Sequence, residues 1–405
     1  MRFMLFSSFK HRNYLVFSVG VAISNIGTWT HRLAQDWLVL DITGSAKSLG
    51  IVVAAQFLPG IFFGIYGGVL ADKFDQRRIL ILSNFAGVAL TLLLGLAVLL
   101  DFVTFEILVA AALALGIASA IEGPARQSYY VRLVGDVDLP NALSWNQVNL
   151  YLGRLVGPLV AGFLIQYYGM APAFFLNSAT YLIAVYTLFA IRPNLYILEQ
   201  AVRSKLNQES LHSAVSYLRS TKKVSTAILI VSLAALLGMD MQITSVLMVR
   251  SEFNGNAATL GILSAIFAAG AILGSVMFAK KKIEMDLTFI GKRILYVSLV
   301  WLLAAFAPNY LIYAITLFLV GYFSVGVAIS GNMSIRQFVD PGLYGKVWGI
   351  YISLWLTALA IGAPIIGFIS ELASVRVAIA VGGLIALLIA LSTIWTMKKR
   401  PQWIS

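Results

Sequence analysis

Apolar residues fall into twelve runs separated by short polar segments, and each run is close to the length of about 20 residues that an α-helix needs to cross a bilayer. The pattern predicts helices near 14–39, 48–71, 79–100, 106–125, 141–167, 172–191, 224–249, 257–279, 288–307, 310–333, 345–370 and 375–397. The strict apolar–polar alternation of a membrane β-barrel is absent, so helices must satisfy the backbone in lipid. The expected class is an all-α polytopic membrane protein with twelve transmembrane helices, and an even number of spans puts both ends on one side. The longest polar connection, 193–223, lies at mid-chain. It divides the expectation into an N-terminal six-helix bundle (1–192), a linker (193–223) and a C-terminal six-helix bundle (224–405). Within the linker Leu211, Val215 and Leu218 recur at helical spacing, which predicts a short amphipathic helix on the membrane surface; a plain tether is the blander reading.

Composition excludes a soluble domain: 60% of the 405 residues are hydrophobic, 11% are charged, and the mean hydropathy is +0.88. With no cysteine there is neither a disulfide framework nor a thiolate metal site, and His11, His31 and His212 are too scattered for a metal cluster. No cofactor is expected. The N-terminal stretch MRFMLFSSFKHRNY lacks a small-residue cleavage site, so the first hydrophobic segment is expected to be retained. A net charge of +12 raises the question of nucleic acid, and the distribution of charge answers it. With a cytoplasmic N-terminus, 24 of the 29 lysines and arginines lie on the inner side, Lys47, Arg250 and Arg376 lie opposite, and Arg32 and Arg154 lie within spans. That is a strong positive-inside bias, so the basic charge reflects topology and contact with anionic lipid.

The fifth span carries the densest chemistry. NALSWNQVNLYLGRLVGPLVAGFLIQ (141–166) places Arg154 among Gly153, Gly157, Pro158 and Gly162. Glycines at this spacing let another helix approach at backbone distance, Pro158 removes a helical hydrogen bond, and a charge in a span calls for a protein interior or a wet cavity. The segment recurs: Gly157, Pro158 and Gly162 are echoed by Gly362, Pro364 and Gly367. TGSAKSLGI (43–51) likewise matches NGNAATLGI (254–262), Gly60 and Gly64 correspond to Gly270 and Gly274, and Arg126-Gln127 to Arg336-Gln337. Two copies of one six-helix plan in the same orientation form a parallel repeat.

Between the second and third spans the chain reads YGGVLADKFDQRR (66–78). This resembles the signature loop of the major facilitator superfamily, with Gly68, Asp72, Lys73, Arg77 and Arg78 in the matching places and Asp75 where a second glycine is usual. The resemblance implies a cytoplasmic gate in which Asp72 caps a neighbouring helix and pairs with Arg77 or Arg78. The stretch EGPARQSYYVRLV (122–134), with the sequence leading into the fifth span, resembles the enterobactin-exporter and macrolide-efflux group. GRLVGPLVAG (153–162) is similar to the fifth-helix motif of antiporters in that superfamily. The resemblance therefore implies two six-helix bundles related by a pseudo-two-fold axis, alternating access, and efflux of a siderophore or drug by antiport with protons in a bacterial inner membrane.

Ionisable residues within the spans are few: Arg32, Asp36, Glu122, Arg154 and Asp240, with Arg126 near the end of the fourth. Arg32 and Asp36 share a helical face, as do Glu122 and Arg126; both sets read either as structural pairs or as proton-coupling groups of a central cavity. Asp240 has no basic neighbour in sequence and is a further candidate proton carrier, while Arg154 either lines the cavity or neutralises one of these acids. Trp29, Trp145, Tyr151, Trp348, Tyr351 and Trp355 read as packing residues or as a surface for a flat substrate. The expected function is a proton-coupled exporter of amphipathic small molecules, acting as a monomer among membrane lipids; a lipid or lysophospholipid flippase of the same fold is the alternative. No nucleotide loop, metal motif or nucleophile–base set argues for an enzyme, and no charged ring or carbonyl filter argues for a channel.

Overall fold

A computed structural model describes residues 6–197, 211–238, 241–279, 287–339 and 343–399; positions 64, 65, 72, 211, 212, 237, 238, 331–338, 344 and 345 are described by their backbone alone. A 3-10 turn, Ser7–Lys10, leads into helices α1 (Arg12–Thr43), α2 (Ala46–Lys73), α3 (Gln76–Leu99), α4 (Phe105–Tyr168) and α5 (Ala171–Ala190). After the turn Pro193–Leu195 come α6 (Leu211–Ser220), α7 (Lys222–Gly238) and α8 (Met241–Leu247), which runs into a π-turn at Met248–Glu252. The chain continues through α9 (Ala257–Ala279), α10 (Leu287–Ala305), α11 (Tyr310–Phe338), α12 (Tyr344–Leu372) and α13 (Val375–Lys399). The described residues contain no strand.

Among the described residues, ten helical segments are long and apolar enough to cross a membrane. One of them, α4, carries two of the twelve expected spans, and it is broken where Gly135 adopts φ +68°, a left-handed conformation open to glycine at little cost. The helix over the first expected span, α1, is not among the ten. Its apolar run is interrupted by Asn25, Thr28, Thr30, His31, Arg32, Gln35 and Asp36, of which Arg32 and Asp36 were expected to carry chemistry.

Contacts divide the chain into two compact units, one of Met1–Ile42 with Leu58–Gln208, the other of Thr43–Phe57 with Glu209–Ser405. In the first, α3 packs on α4 and α5. Its buried side chains include Asn84, Thr91, Asn177, Thr180 and Thr187, whereas Leu82, Leu93 and Tyr186 are exposed. This inversion suits a lipid solvent, where helices associate through close packing and polar contacts rather than through the hydrophobic effect. Tyr14, Phe17, Tyr129 and Tyr130 pack together as a buried aromatic cluster.

In the second unit α10 packs on α13 and α9 on α11. A Cβ at Gly270 or Gly321 would run into the backbone at Phe318 or Phe267, and one at Gly274 would lie 2.5 Å from the Tyr322 carbonyl, so the repeated glycines mark contacts at backbone distance. The first turns of α2 join this unit in the same way: a Cβ on Gly50 would meet the Ala363 carbonyl at 2.7 Å. The Glu371 carboxylate accepts from Ser45 Oγ at 2.5 Å and from the Lys47 N–H at 3.1 Å. Arg376 donates to Glu252 at 2.6 Å and to the carbonyls of Ala305 and Ala307, closing the end of α10. The amphipathic helix expected in the linker is α6, which packs on α7 and α12.

Candidate transport site

The glycines of the fifth-span motif set the register of α1 against the second limb of α4. A Cβ on Gly153 would lie 2.8 Å from Asn25, and one on Gly157 would lie 2.6 Å from Trp29 Cβ and 2.8 Å from the Ile26 carbonyl. Thr30 Oγ1 donates to the Gly157 carbonyl at 3.0 Å, and Asn149 Nδ2 reaches Ser18 Oγ at 3.0 Å. Pro158 and Gly162 are buried beside these contacts. The approach brings Trp29 near two arginines: the Arg32 guanidinium carbon lies 5.2 Å from its ring centroid and that of Arg154 5.0 Å, within the range of cation–π attraction.

One turn along α1, Asp36 is 1% exposed and lies within electrostatic reach of Arg32. His31, 3% exposed, pairs through Nε2 with Gln35 Oε1 at 2.8 Å and meets the edge of Phe174. From the first limb of α4 come Glu122 and Arg126, whose Oε1 and Nη2 are 3.7 Å apart. That separation is attractive but too long for a hydrogen bond. The Tyr181 phenol of α5 hydrogen-bonds Thr28 and stands within electrostatic reach of Glu122, Arg32 and Arg126. Tyr130 donates to Asn146 Oδ1 at 2.7 Å. Arg32, Asp36, Glu122, Arg126 and Arg154 thus gather in one unit, joined by His31, Gln35, Tyr130 and Tyr181, which sequence reasoning did not single out. The four-residue step from His31 to Gln35 was a usable signal; nothing in the chain pointed to the tyrosines, because tyrosine is common in membrane helices.

The candidate gate lies at the turn between α2 and α3. Asp75 caps α3 by accepting the Arg78 N–H at 3.0 Å, and its second oxygen accepts Arg132 Nη1 at 2.8 Å. Partial burial alone would push the Asp75 carboxyl up; the Arg132 guanidinium and the Arg78 N–H hold it below the ordinary carboxylate range. Arg132 also lies 4.1 Å from the Tyr196 ring centroid, Tyr196 meets the Tyr129 hydroxyl at 3.1 Å, and the Ile197 N–H donates to the Arg132 carbonyl. Arg77 is directed elsewhere, to the carbonyls of Leu188 and Phe189 at the end of α5. A Cβ on Gly68 would meet nothing within 4 Å, and the close approach falls on Gly67, where a Cβ would sit 2.7 Å from the Ala120 carbonyl. Lys73 is exposed. The Asp72 and Arg336 side chains and the whole of Asp240 lie outside the described residues.

The chain is similar over most of its length to known membrane transporters. It is 24% identical over 332 residues to the staphyloferrin A transporter of Staphylococcus aureus, covering 80% of this chain and 81% of that one. It is 23% identical over 365 residues to the enterobactin exporter EntS of Shigella flexneri, covering 86% and 80% respectively. A solved structure of a POT family transporter in complex with a thioalcohol-conjugated peptide shares the fold, with a TM-score of 0.79 at 12% identity and 97% of each chain covered. Residues 4–403 match the transmembrane secretion effector family, and with twelve expected spans, a paired glycine repeat and the Asp-containing turn after α2, the chain belongs to that family of major facilitator transporters.

Proposed function

We propose that this protein exports an amphipathic small molecule, of siderophore or drug type, in exchange for protons by alternating access, with both termini and the 193–223 linker in the cytoplasm of a bacterial cell. The observation that carries the reading is the gathering of Arg32, Asp36, Glu122, Arg126 and Arg154 in one unit, within spans or at the end of one, where ionisable groups are costly unless they serve a pathway or a proton relay. Two relatives named for siderophores support the substrate type. Antiport requires a carboxylate that changes protonation as access alternates. An arginine close by holds such an acid ionised, and drawing the arginine away lets it take up a proton. Glu122 suits this role, since its partner already stands beyond hydrogen-bond distance; Asp36 and Asp240 are the other acids within the spans.

The test is proton-gradient-driven uptake into inverted vesicles for Asp36→Asn, Glu122→Gln and Asp240→Asn in parallel. The amide at the coupling position abolishes pH-driven transport while leaving substrate binding intact, because it imitates the protonated acid. Wild-type pH dependence in all three variants rejects proton coupling through a membrane carboxylate.

A further inference from the structure

We propose that Arg293, near the start of α10, binds the phosphate of an anionic phospholipid, and that the exposed stripe of α10 is the bed for one of its acyl chains. The site lies apart from the candidate transport site, and the proposal stands whether or not the exporter reading does. Arg293 is half-buried and sits among rings: its guanidinium carbon lies 4.6 Å from the Phe278 centroid, 4.7 Å from that of Phe289 and 6.0 Å from that of Tyr296. Aromatic faces attract the cation, but they leave its fork of N–H donors without an acceptor. Nε is buried with no hydrogen-bond partner, and the electrostatic neighbours of the guanidinium are the Tyr296 and Tyr322 phenols, not a carboxylate. Among the described residues nothing accepts a hydrogen bond from Arg293. The seat itself is shaped around this side chain. A Cβ on Gly326 of α11 would lie 2.7 Å from the Phe278 ring and 3.2 Å from Arg293 Cδ, so the glycine leaves room for ring and stem side by side.

The surface beside this seat has the order of a lipid. On α10, Lys292, Tyr296, Leu299, Leu303 and Phe306 are all exposed, at steps of three and four that place them on one face. A cation and a phenol stand at one end of the stripe, next to Arg293, and only apolar side chains follow. From Tyr296 to Phe306 the helix rises about 15 Å, one leaflet of a hydrocarbon core about 30 Å thick. Val276 and Met277 of α9, adjacent in sequence to Phe278, are exposed as well. At headgroup level the acceptor available to an arginine is a lipid phosphate, which a planar guanidinium grips with paired hydrogen bonds. Charge selects the kind of lipid. Between positions 280 and 293 the chain carries five basic residues, Lys280, Lys281, Lys282, Lys292 and Arg293, against two acids, Glu284 and Asp286, which favours a headgroup with net negative charge over a zwitterionic one. The positive-inside bias places this end in the cytoplasmic leaflet.

The experiment titrates the purified full chain in detergent with phosphatidylglycerol, which is anionic, and with phosphatidylcholine, which carries the same phosphodiester but no net charge. Native mass spectrometry reads the affinity of the first lipid bound. Wild type is expected to bind phosphatidylglycerol at least about tenfold more tightly than phosphatidylcholine, and Arg293→Gln is expected to lose at least about tenfold for phosphatidylglycerol, the loss of one charge-assisted hydrogen-bonding partner. Lys399→Gln is the control: it removes an exposed cation that rests on the Trp395 ring at the end of α13, and it should bind like wild type. Equal binding of the two lipids, an Arg293→Gln chain that holds phosphatidylglycerol like wild type, or an equal loss in Lys399→Gln would each overturn the proposal. Millimolar inorganic phosphate that displaces the lipid would overturn it too, because the site would then serve a free anion. If Arg293→Gln fails to fold, wild type decides with a phosphatidylglycerol that carries a photoactivatable group high on one acyl chain. Adducts on Tyr296 or Leu299 support the site, and adducts only elsewhere reject it.

Discussion

At the scale of residues, the function of the fifth-span glycines is to let Trp29 and the two arginines meet. The spacing of Gly153 and Gly157 was legible in the sequence as a surface that another helix approaches; which helix, and that Trp29 sits on it, was not, because small-residue spacing carries no information about the partner. Gly157→Ala places a methyl 2.8 Å from the Ile26 carbonyl, a backbone atom that cannot turn aside. We expect overpacking to cost about 1–3 kcal/mol, seen as a lower Tm of the purified protein. Gly123→Ala is the control, since a Cβ there meets nothing within 4 Å. If both variants melt alike, the close contact between α1 and α4 is not what the glycines serve.

At the scale of elements, hydropathy located the helices well, because a run of about 20 apolar residues has few other fates. It was less informative at the joins. The polar stretch 126–140 marked a gap between the fourth and fifth spans, but helix runs through it on both sides of the break at Gly135, and α1 carries so many polar groups that apolarity alone passes it over. The turn after α2 holds a bridge that the signature loop did not announce: Asp75 ties the start of α3 to Arg132 on α4 and, through Arg132, to Tyr196, while the Asp72 side chain lies outside the described residues. A pairing across 57 residues leaves no local trace in sequence. Because the folded state depresses the Asp75 carboxyl below its ordinary value of 3.8, its contribution is fully present above that value and is lost as pH falls through the lower folded one. Asp75→Asn keeps an N-cap and removes the charge. The variant should be less stable than wild type at pH 7, and the gap should begin to narrow as pH falls below 3.8, closing only below the lower folded value where the wild-type carboxyl is also neutral. Thermal melts of both proteins from pH 3 to 7 measure this, and a gap that stays constant would show that Arg132 does not need the charge.

At the scale of the whole molecule, the duplication was the most legible feature, because glycines that bring backbones together must recur wherever the packing recurs. Gly60 and Gly64 in the first half led directly to Gly270 and Gly274, which lie against the Phe318 and Tyr322 backbone in the second unit. Among the described residues, Asp75 pairs with Arg132 in the first unit and Arg376 with Glu252 in the second. The same duplication makes orientation a property of the entire chain, since six spans per copy return the chain to its starting side twice. Basic residues resist transfer across the membrane during insertion, so loops rich in them stay inside. The excess here points to a cytoplasmic linker, with the α1–α2 connection outside. The native chain has no cysteine, so single cysteines report without background. Lys47→Cys suits the outer site, because the Lys47 side chain is exposed and it is the backbone N–H that holds Glu371. Ser204→Cys suits the linker, in a stretch outside the described residues. A membrane-impermeant maleimide added to intact cells should label Lys47→Cys at once and Ser204→Cys only after permeabilisation. The opposite order would invert the protein in the membrane and with it the direction of export.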